Sequence, residues 1–247
     1  MRARAALVAE VDSRGITRLT RIRSEPPLVL RATPGAVYVV GGAGGPLGGD
    51  QLTLDIEVRP GAALTVRSAA ASVAQAGPGP SVVDVTASVA EGGRLDWLPE
   101  PVIAARGCRH HMTTVLSLAE DATVLWREEI VLGRYGETPG SVVSRFRADL
   151  GGHPLLRHDV GLGPDHPHTG GPAVVGPARA FGSVLVVDPG WTTERPPARC
   201  IGPAAAILVL DGPAVQVIGV AADARELRRT LDDGAAACGH TARLAAT

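Results

Sequence analysis

The chain has 247 residues, which is long enough to bury a substantial hydrophobic core. Its formal net charge of -1 provides no general attraction to nucleic acid or to anionic lipid, and aromatic residues, at 3%, are too few to stack successive bases. We therefore expect neither nucleic acid nor a membrane among its partners.

The first residues do not have the pattern of a secretory signal. They begin with basic residues, but Glu10 and Asp12 interrupt the apolar stretch that a signal peptide needs. No later apolar run approaches the roughly 18 residues of a membrane-spanning helix. The three cysteines, Cys108, Cys200 and Cys238, lie far apart without a C-x-x-C pair, which is typical of a reducing compartment. We expect a cytoplasmic protein.

A glycine-rich stretch, GGAGGPLGGD, occupies residues 41–50 between an apolar run at 36–40 and an alternating run at 52–58. A dinucleotide fingerprint would need a third glycine where Leu47 stands, and a helix rather than an alternating strand after it. A phosphate-binding P-loop would need a lysine, and the chain has none. Two interpretations stay open: a tight connection with positive φ angles, or a surface that a partner's backbone approaches closely.

Three segments further along the chain align without gaps: Val58–Val66, Val89–Trp97 and Leu118–Trp126. Each ends an alternating apolar run, turns through a Gly- or Asp-centred corner and enters another extended run. The segments begin 31 and 29 residues apart. This nearly constant period predicts a β-helix-like stack of extended coils, each burying its apolar side against the next. A β-sandwich with similar hairpin spacing is the alternative.

Stacking in this register would bring acidic residues together just after the turns. Glu100 of one coil would lie beside Glu129 of the next. Neighbouring carboxylates raise each other's pKa unless a cation or an arginine neutralises them. The residues therefore form either a solvated edge balanced by Arg67 and Arg127, or a polar channel that carries a cation transiently.

One segment has the pattern of a helix, residues 222–234. Asp223 is a suitable N-cap, Leu227 and Leu231 are spaced i, i+4, and Gly234 follows as a stop signal. Two strands are predicted before it, at 206–212 and 214–220.

A Pro-, Gly- and His-rich span at residues 161–179 predicts a long surface loop. In extended backbone, His166 and His168 would project on one side next to Asp165, and imidazoles are ligands of divalent transition metals. A closed site needs about four ligands, so the two histidines are weak metal candidates and a surface pair is the simpler interpretation.

Cys108 and His110 would share one face of a strand, but no third group is placed to orient them as a catalytic dyad. The chain also lacks a G-x-S-x-G elbow and an H-E-x-x-H helix. We therefore predict that the protein is not an enzyme.

Several motifs together resemble one family. The segments are GGPLGGDQLTLDIEVRPGAALTV (45–66), GGRLDWLPEPVI (92–103), VLWREEIVLGRYGE (124–137) and PLLRHDVGLG (154–163). In order and spacing they are similar to urease accessory proteins of the UreD type, called UreH in some organisms. The likeness is strongest over residues 5–165.

The resemblance implies a single UreD-like domain over residues 1–247, with a mainly β, two-layer, β-helix-like fold and few helices. Its β-repeat core would cover about 5–165 and a strand–helix portion about 180–247. It further implies a non-catalytic chaperone scaffold for nickel insertion into apo-urease. Such a scaffold bridges urease to a helical UreF-type protein and a UreG-type GTPase, with nickel in transit and no tightly bound cofactor. A β-solenoid binding or assembly module for another partner is the alternative.

The resemblance also suggests site residues. Asp50, Ser72, Glu128 and Glu137 match polar family positions and are assigned to the nickel path. Glu100 joins them, although the family has Gln at that position. Gly48, Gly49 and Arg134 are assigned partner-facing or structural roles. Residues 73–76, VAQA, depart from the family's Lys-x-Tyr-Arg.

Overall fold

The computed structural model describes residues 1–191 and 195–239. Within these ranges the chain forms eighteen β-strands and one α-helix. The strands are β1 (Arg2–Val11), β2 (Thr17–Arg23), β3 (Leu28–Thr33), β4 (Ala36–Gly41), β5 (Gln51–Val58), β6 (Ala63–Ser68), β7 (Ser72–Ala74), β8 (Ser81–Val89), β9 (Arg94–Leu98), β10 (Val102–Ala104), β11 (Arg109–Leu118), β12 (Thr123–Leu132), β13 (Ser141–Leu150), β14 (His153–Leu162), β15 (Ala180–Val187), β16 (Arg199–Ile201), β17 (Ala205–Val209) and β18 (Ala214–Ala221). The helix is α1 (Ala224–Ala236).

The strands form two sheets. Sheet A has the order β14-β13-β11-β8-β5-β1-β2, and sheet B has the order β16-β17-β18-β15-β12-β9-β6-β4-β3. The short strands β7 and β10 pair with each other, and β10 also pairs with β12. The chain repeatedly runs along a strand of sheet A, turns, runs along a strand of sheet B and returns. Within each sheet the strands of successive coils pair in parallel, as β5, β8 and β11 do.

The predicted stack of extended coils is therefore confirmed. Val58 pairs in register with Val89, and Val89 with Leu118, so the three corners lie above one another. After the corner, Val66 pairs with Trp97, and Trp97 with Trp126. The regular period has a simple cause: a coil of constant length returns each apolar side chain to the same place above its predecessor.

The hydrophobic core lies between the sheets. Alternation along β5 turns every second residue inward, and Leu54, Ile56 and Val58 are all buried. The rings of Trp97 and Trp126 stack with their centroids 4.9 Å apart, which fills the core at the second and third corners. The coils are therefore held together by apolar burial as well as by ladder hydrogen bonds.

Helix α1 packs on the outer face of sheet B. Its N-cap is Asp223, as predicted, and the Asp223 carboxylate accepts a hydrogen bond of 2.8 Å from the backbone N–H of Glu226. Leu227 and Leu231 are fully buried in a cluster with residues of β15 and β18. The prediction that Gly234 ends the helix is wrong. Gly234 lies inside the helix, where a Cβ would come within 2.5 Å of Val217 Cγ1. Gly234 lets the helix pack closely against β18 and does not end it.

The two strands predicted before the helix are confirmed as β17 and β18. Residues 163–179 connect β14 to β15 without a strand or helix, as the predicted surface loop requires, and Val175 anchors them in a small buried cluster. The last residues of the predicted C-terminal portion lie outside the described ranges. No helix in the described part of the chain has both the length and the apolar character that crossing a bilayer requires.

Candidate functional site

A cavity of about 140 Å³ lies between the two sheets near the middle of the stack. We call it the inter-sheet cavity. Most of its wall is apolar, contributed by inward residues of β5, β8 and β11. Its polar side chains are Ser68, Ser72, Glu100, His110, Thr114 and Glu128, with Glu129 also at the wall. A few polar groups in an apolar wall are typical of a site that handles a small ligand or ion.

Glu128 is the most completely hydrogen-bonded carboxylate in this wall. Its Oε1 accepts hydrogen bonds from Thr114 Oγ1 at 2.6 Å and Trp126 Nε1 at 3.3 Å. Its Oε2 accepts one from Ser144 Oγ at 3.1 Å. Burial raises the pKa of Glu128, and the three donors only partly oppose this rise. The carboxylate is thus held in a fixed orientation while its charge is poorly solvated.

Strand alternation explains why these groups meet. On β12, Trp126 and Glu128 point towards sheet A, while Arg127 and Glu129 point away, towards α1. Thr114 on β11 and Ser144 on β13 face them from sheet A. Alternation predicts the inward positions but not which residues of the opposite sheet they will reach.

His110 is the buried imidazole of the cavity wall. Its side chain is 1% exposed, and its Nδ1 lies 2.8 Å from the hydroxyl of the fully buried Ser81. Burial, with a smaller contribution from His111, lowers the pKa of His110 from 6.5 to about 4. The imidazole is therefore neutral at physiological pH.

The structure does not support a reactive pair of Cys108 and His110. Cys108 lies just before β11, not on its inward face, and its thiol contacts the Ser141 carbonyl oxygen at 3.8 Å. Burial, with a contribution from Glu137, raises the pKa of the Cys108 thiol to about 11, so the nucleophilic thiolate is suppressed.

The predicted approach of Glu100 to Glu129 is confirmed, and a cation does neutralise them. Arg228 of α1 donates a hydrogen bond of 2.8 Å to Glu100 Oε1 and a second, from Nη2, of 2.5 Å to Glu129 Oε2. Arg127 lies 3.9 Å from Glu129 and bonds Asp232 at 3.0 Å. The predicted Arg127 thus contributes, and a further arginine partner comes from the helix. The ion pairs hold the pKa of Arg228 above its usual range, against the effect of burial.

The inter-sheet cavity adjoins surface hollows at two places. Glu100 also lines a groove of about 740 Å³ between α1 and the β10 region. On another side, Pro46, Ser68 and Ser72 also line a hollow of about 350 Å³ whose wall includes Gly41 and residues 43–45 of the glycine-rich stretch. Ser72, Glu100 and Glu128, three of the predicted path residues, line the same cavity.

Asp50 is placed differently. It is 5% exposed and does not line the inter-sheet cavity. Its Oδ2 accepts a hydrogen bond of 2.9 Å from the Leu47 N–H, and its Oδ1 lies 2.7 Å from the amino group of Met1. Burial opposes ionisation, but these two donors outweigh it and lower the pKa of Asp50. The Asp50 carboxylate therefore stabilises the loop in which it lies.

The glycines beside Asp50 serve a tight connection between coils. A Cβ on Gly48 would lie 2.6 Å from the backbone N of Gly77 in the next coil, and Gly49 has a φ of +94°. Of the two interpretations left open by the sequence, the structure shows the tight connection, with the close approach made by the chain's own backbone.

Glu137 and Arg134 lie in the turn between β12 and β13, outside the inter-sheet cavity. The Glu137 carboxylate accepts hydrogen bonds from the Arg134 N–H at 2.9 Å and from its Nε at 3.1 Å, and these bonds lower the pKa of Glu137. The pair stabilises the turn.

The two loop histidines do not form the arrangement that an extended backbone would give. Residues 166–168 lie in a succession of turns, with His166 half-buried and His168 exposed. In the described ranges, no group of three or more His, Cys, Asp or Glu side chains is placed to hold a metal ion.

Comparison with known proteins decides the family. The model of the UreD urease accessory protein family matches residues 1–246. The chain belongs to the UreD family. A relative named urease accessory protein UreD, from Parafrankia sp. (strain EAN1pec), is 44% identical over 94% of this chain and 87% of its own length. Urease accessory protein UreD 3 of Streptomyces griseus is 46% identical over 94% and 95%, and the UreD protein of Streptomyces avermitilis is 42% identical over 97% and 98%.

Membership confirms the predicted family and fits a role as a urease accessory protein. Sequence reasoning missed the groups that surround Glu128, namely Thr114, Trp126 and Ser144, and missed Arg228. The alternation of β11 and β13 marks Thr114 and Ser144 as inward polar residues, so this signal was present. No local pattern marks Arg228 as the partner of Glu100.

Proposed function

We propose that this protein is a non-catalytic chaperone that guides nickel ions through the inter-sheet cavity to apo-urease. The observation that carries the proposal is the half-buried carboxylate of Glu128, held by three donors in a space that Ser72 and Glu100 also line. The names of the relatives supply the connection to urease. Nickel is the cargo of this path and not a resident cofactor.

The chemistry of Glu128 suits transient binding. A divalent cation that enters the cavity would stabilise the carboxylate charge, which burial otherwise disfavours. Most of the remaining wall is apolar and supplies few further ligands. A cation with an incomplete set of protein ligands keeps part of its hydration and can leave again, as conduction requires.

Substitution of Glu128 by Gln tests this path. Gln keeps the size and most hydrogen bonds of the side chain but carries no charge. In an activation assay with purified apo-urease, the other accessory proteins and Ni²⁺, we expect Glu128→Gln to lower urease activity and its nickel content by at least about tenfold. Glu57→Gln, on the outer face of β5, is the matched control and should activate normally. Full activation by Glu128→Gln would overturn the proposed path.

We further propose that the protein bridges apo-urease to a UreF-type accessory protein, which in turn holds a UreG-type GTPase. Both hollows that adjoin the cavity are open at the surface. A partner protein docked at either hollow would therefore lie next to the cavity. Co-purification of the tagged chain with apo-urease and a UreF-type protein, singly and together, tests the bridge. Failure to recover the three-protein complex would contradict it.

The assembly-module alternative makes a different prediction. A β-solenoid module for another partner would not form these complexes with apo-urease, and the wild-type chain and the Glu128→Gln variant would have the same effect on urease activation, because no ion would pass through the cavity. Normal complexes combined with defective nickel loading in Glu128→Gln would therefore favour the conduit.

A further inference from the structure

We propose that His110 and Met112 join Glu128 in a nitrogen–sulfur–oxygen donor set that makes the inter-sheet cavity selective for borderline-soft cations over hard ones. This inference rests on the proposed passage and assigns its selectivity. The cation class would include Ni²⁺ and exclude Mg²⁺ and Ca²⁺.

The three side chains line the same cavity. His110, Met112 and Thr114 are alternate residues of β11, so all three face inward from one strand. Met112 pairs in register with Ser144 of β13, and Ser144 donates a hydrogen bond to Glu128. Thr114, the next inward residue, bonds the other oxygen of the same carboxylate. Glu128 is therefore hydrogen-bonded to two neighbours of Met112, one along β11 and one across the ladder on β13.

His110 is oriented as a ligand would be. Its register partner across the ladder is Ser81, and the Ser81 hydroxyl lies 2.8 Å from Nδ1. When the Nδ1–H donates to the Ser81 hydroxyl, Nε2 carries the lone pair that a cation needs, and no hydrogen bond to Nε2 is found among the described residues. Histidines that bind metals characteristically have the other ring nitrogen fixed in this way.

The donor types determine the selectivity. Carboxylate and hydroxyl oxygens alone suit Mg²⁺ and Ca²⁺, which are far more abundant in cells than nickel. Imidazole nitrogen and thioether sulfur favour softer transition metals and offer little to a hard cation. Glu128 would thus attract any divalent cation, whereas His110 and Met112 would distinguish among them.

Metal titration of the full chain tests the assignment. Nickel affinity would be measured by competition with a chromophoric chelator, in excess Mg²⁺. We expect His110→Phe and Met112→Leu each to weaken Ni²⁺ binding about tenfold or more and to leave Mg²⁺ binding unchanged. His111→Phe, on the opposite face of β11, is the matched control and should bind Ni²⁺ normally. Equal Ni²⁺ affinity in wild type, His110→Phe and Met112→Leu would overturn the inference.

A spectroscopic measurement needs no substitution. The chain contains two methionines, Met1 and Met112, so methyl-¹³C-methionine labelling gives two signals. Ni²⁺ bound beside Met112 should broaden that methyl signal strongly, because the ion is paramagnetic. Broadening of neither methyl, or equal broadening of both, would overturn the inference even if the variants failed to fold.

The activation assay separates the two proposals. Suppose that Glu128→Gln fails to activate urease while His110→Phe and Met112→Leu activate it fully in excess Mg²⁺. This result would support the proposed passage and contradict the selective donor set. If all three variants activate fully, the passage itself fails.

Discussion

His110 and Glu128 are two side chains of the inter-sheet cavity whose pKa is shifted by burial. Burial favours the neutral form of both, lowering the pKa of His110 to about 4 and raising that of Glu128. A cation entering the cavity would reverse this balance for Glu128, since its charge stabilises the carboxylate.

The low pKa of His110 predicts that the metal-free protein becomes less stable in mild acid. The unfolded chain takes up a proton on this histidine below about pH 6.5, whereas the folded chain does so only near pH 4. The free energy of unfolding should therefore fall as the pH drops from 7.5 to 4.5. In His110→Phe this fall should be smaller by about 2–3 kcal/mol.

Urea denaturation at the two pH values measures the difference. His111→Phe should keep the wild-type pH dependence, since it removes a neighbouring histidine on the other face of the strand. An identical slope in wild type and His110→Phe would show that the buried imidazole titrates normally.

Among the elements, the corners and connections between coils tolerate the least change. Successive coils approach so closely at Gly48 and Gly77 that their backbones are in direct contact. Strands can absorb side-chain changes by rotamer adjustment, but two backbones cannot move apart without breaking the ladder of the coils on either side.

Gly48→Ala should therefore destabilise the fold by about 1–3 kcal/mol. The new Cβ would lie 2.5 Å from the Gly79 carbonyl oxygen and 2.6 Å from the Gly77 backbone N, which forces the two coils apart. Gly79→Ala is the control, because its Cβ would meet nothing within 4 Å. Thermal unfolding of both variants tests this. Equal melting temperatures would contradict the close approach.

For the whole molecule, α1 is joined to the stack by charge as well as by apolar packing. Arg228 reaches Glu100 and Glu129 from a helix about a hundred residues further along the chain. The Glu129 side chain is 1% exposed, so this carboxylate depends on its arginine partners. The same contacts lie where the α1 groove adjoins the inter-sheet cavity.

Arg228→Leu should reduce the free energy of unfolding by about 3 kcal/mol, because it leaves Glu129 buried with only the more distant Arg127. The double variant Arg228→Leu, Glu129→Leu should regain much of this loss, since Arg127 keeps Asp232 as a partner and Glu100, which also loses Arg228, is partly exposed to solvent. Arg229→Leu, an exposed neighbour on the helix, should change stability little. Denaturant unfolding of the three variants measures these effects. A double variant no more stable than Arg228→Leu would contradict the pairing.

The amino-acid sequence was sufficient to predict the period of the coils, the inward faces of the strands, the N-cap of α1 and the family. These features depend on neighbours in the chain: alternation, a repeat of about 30 residues and a capping side chain all act locally or recur at fixed spacing. Even the meeting of Glu100 with Glu129 follows from that repeat.

The partner that each polar residue contacts follows from the three-dimensional path of the chain. Glu128 is held by residues of the opposite sheet, Glu100 and Glu129 by a distant helix, and Asp50 by its own loop instead of the cavity. Such contacts join parts of the chain with no shared periodicity, and they form because a buried polar group must find a partner wherever packing places one. The position of this partner depends on how the chain passes between the two sheets, and no local sequence pattern predicts it.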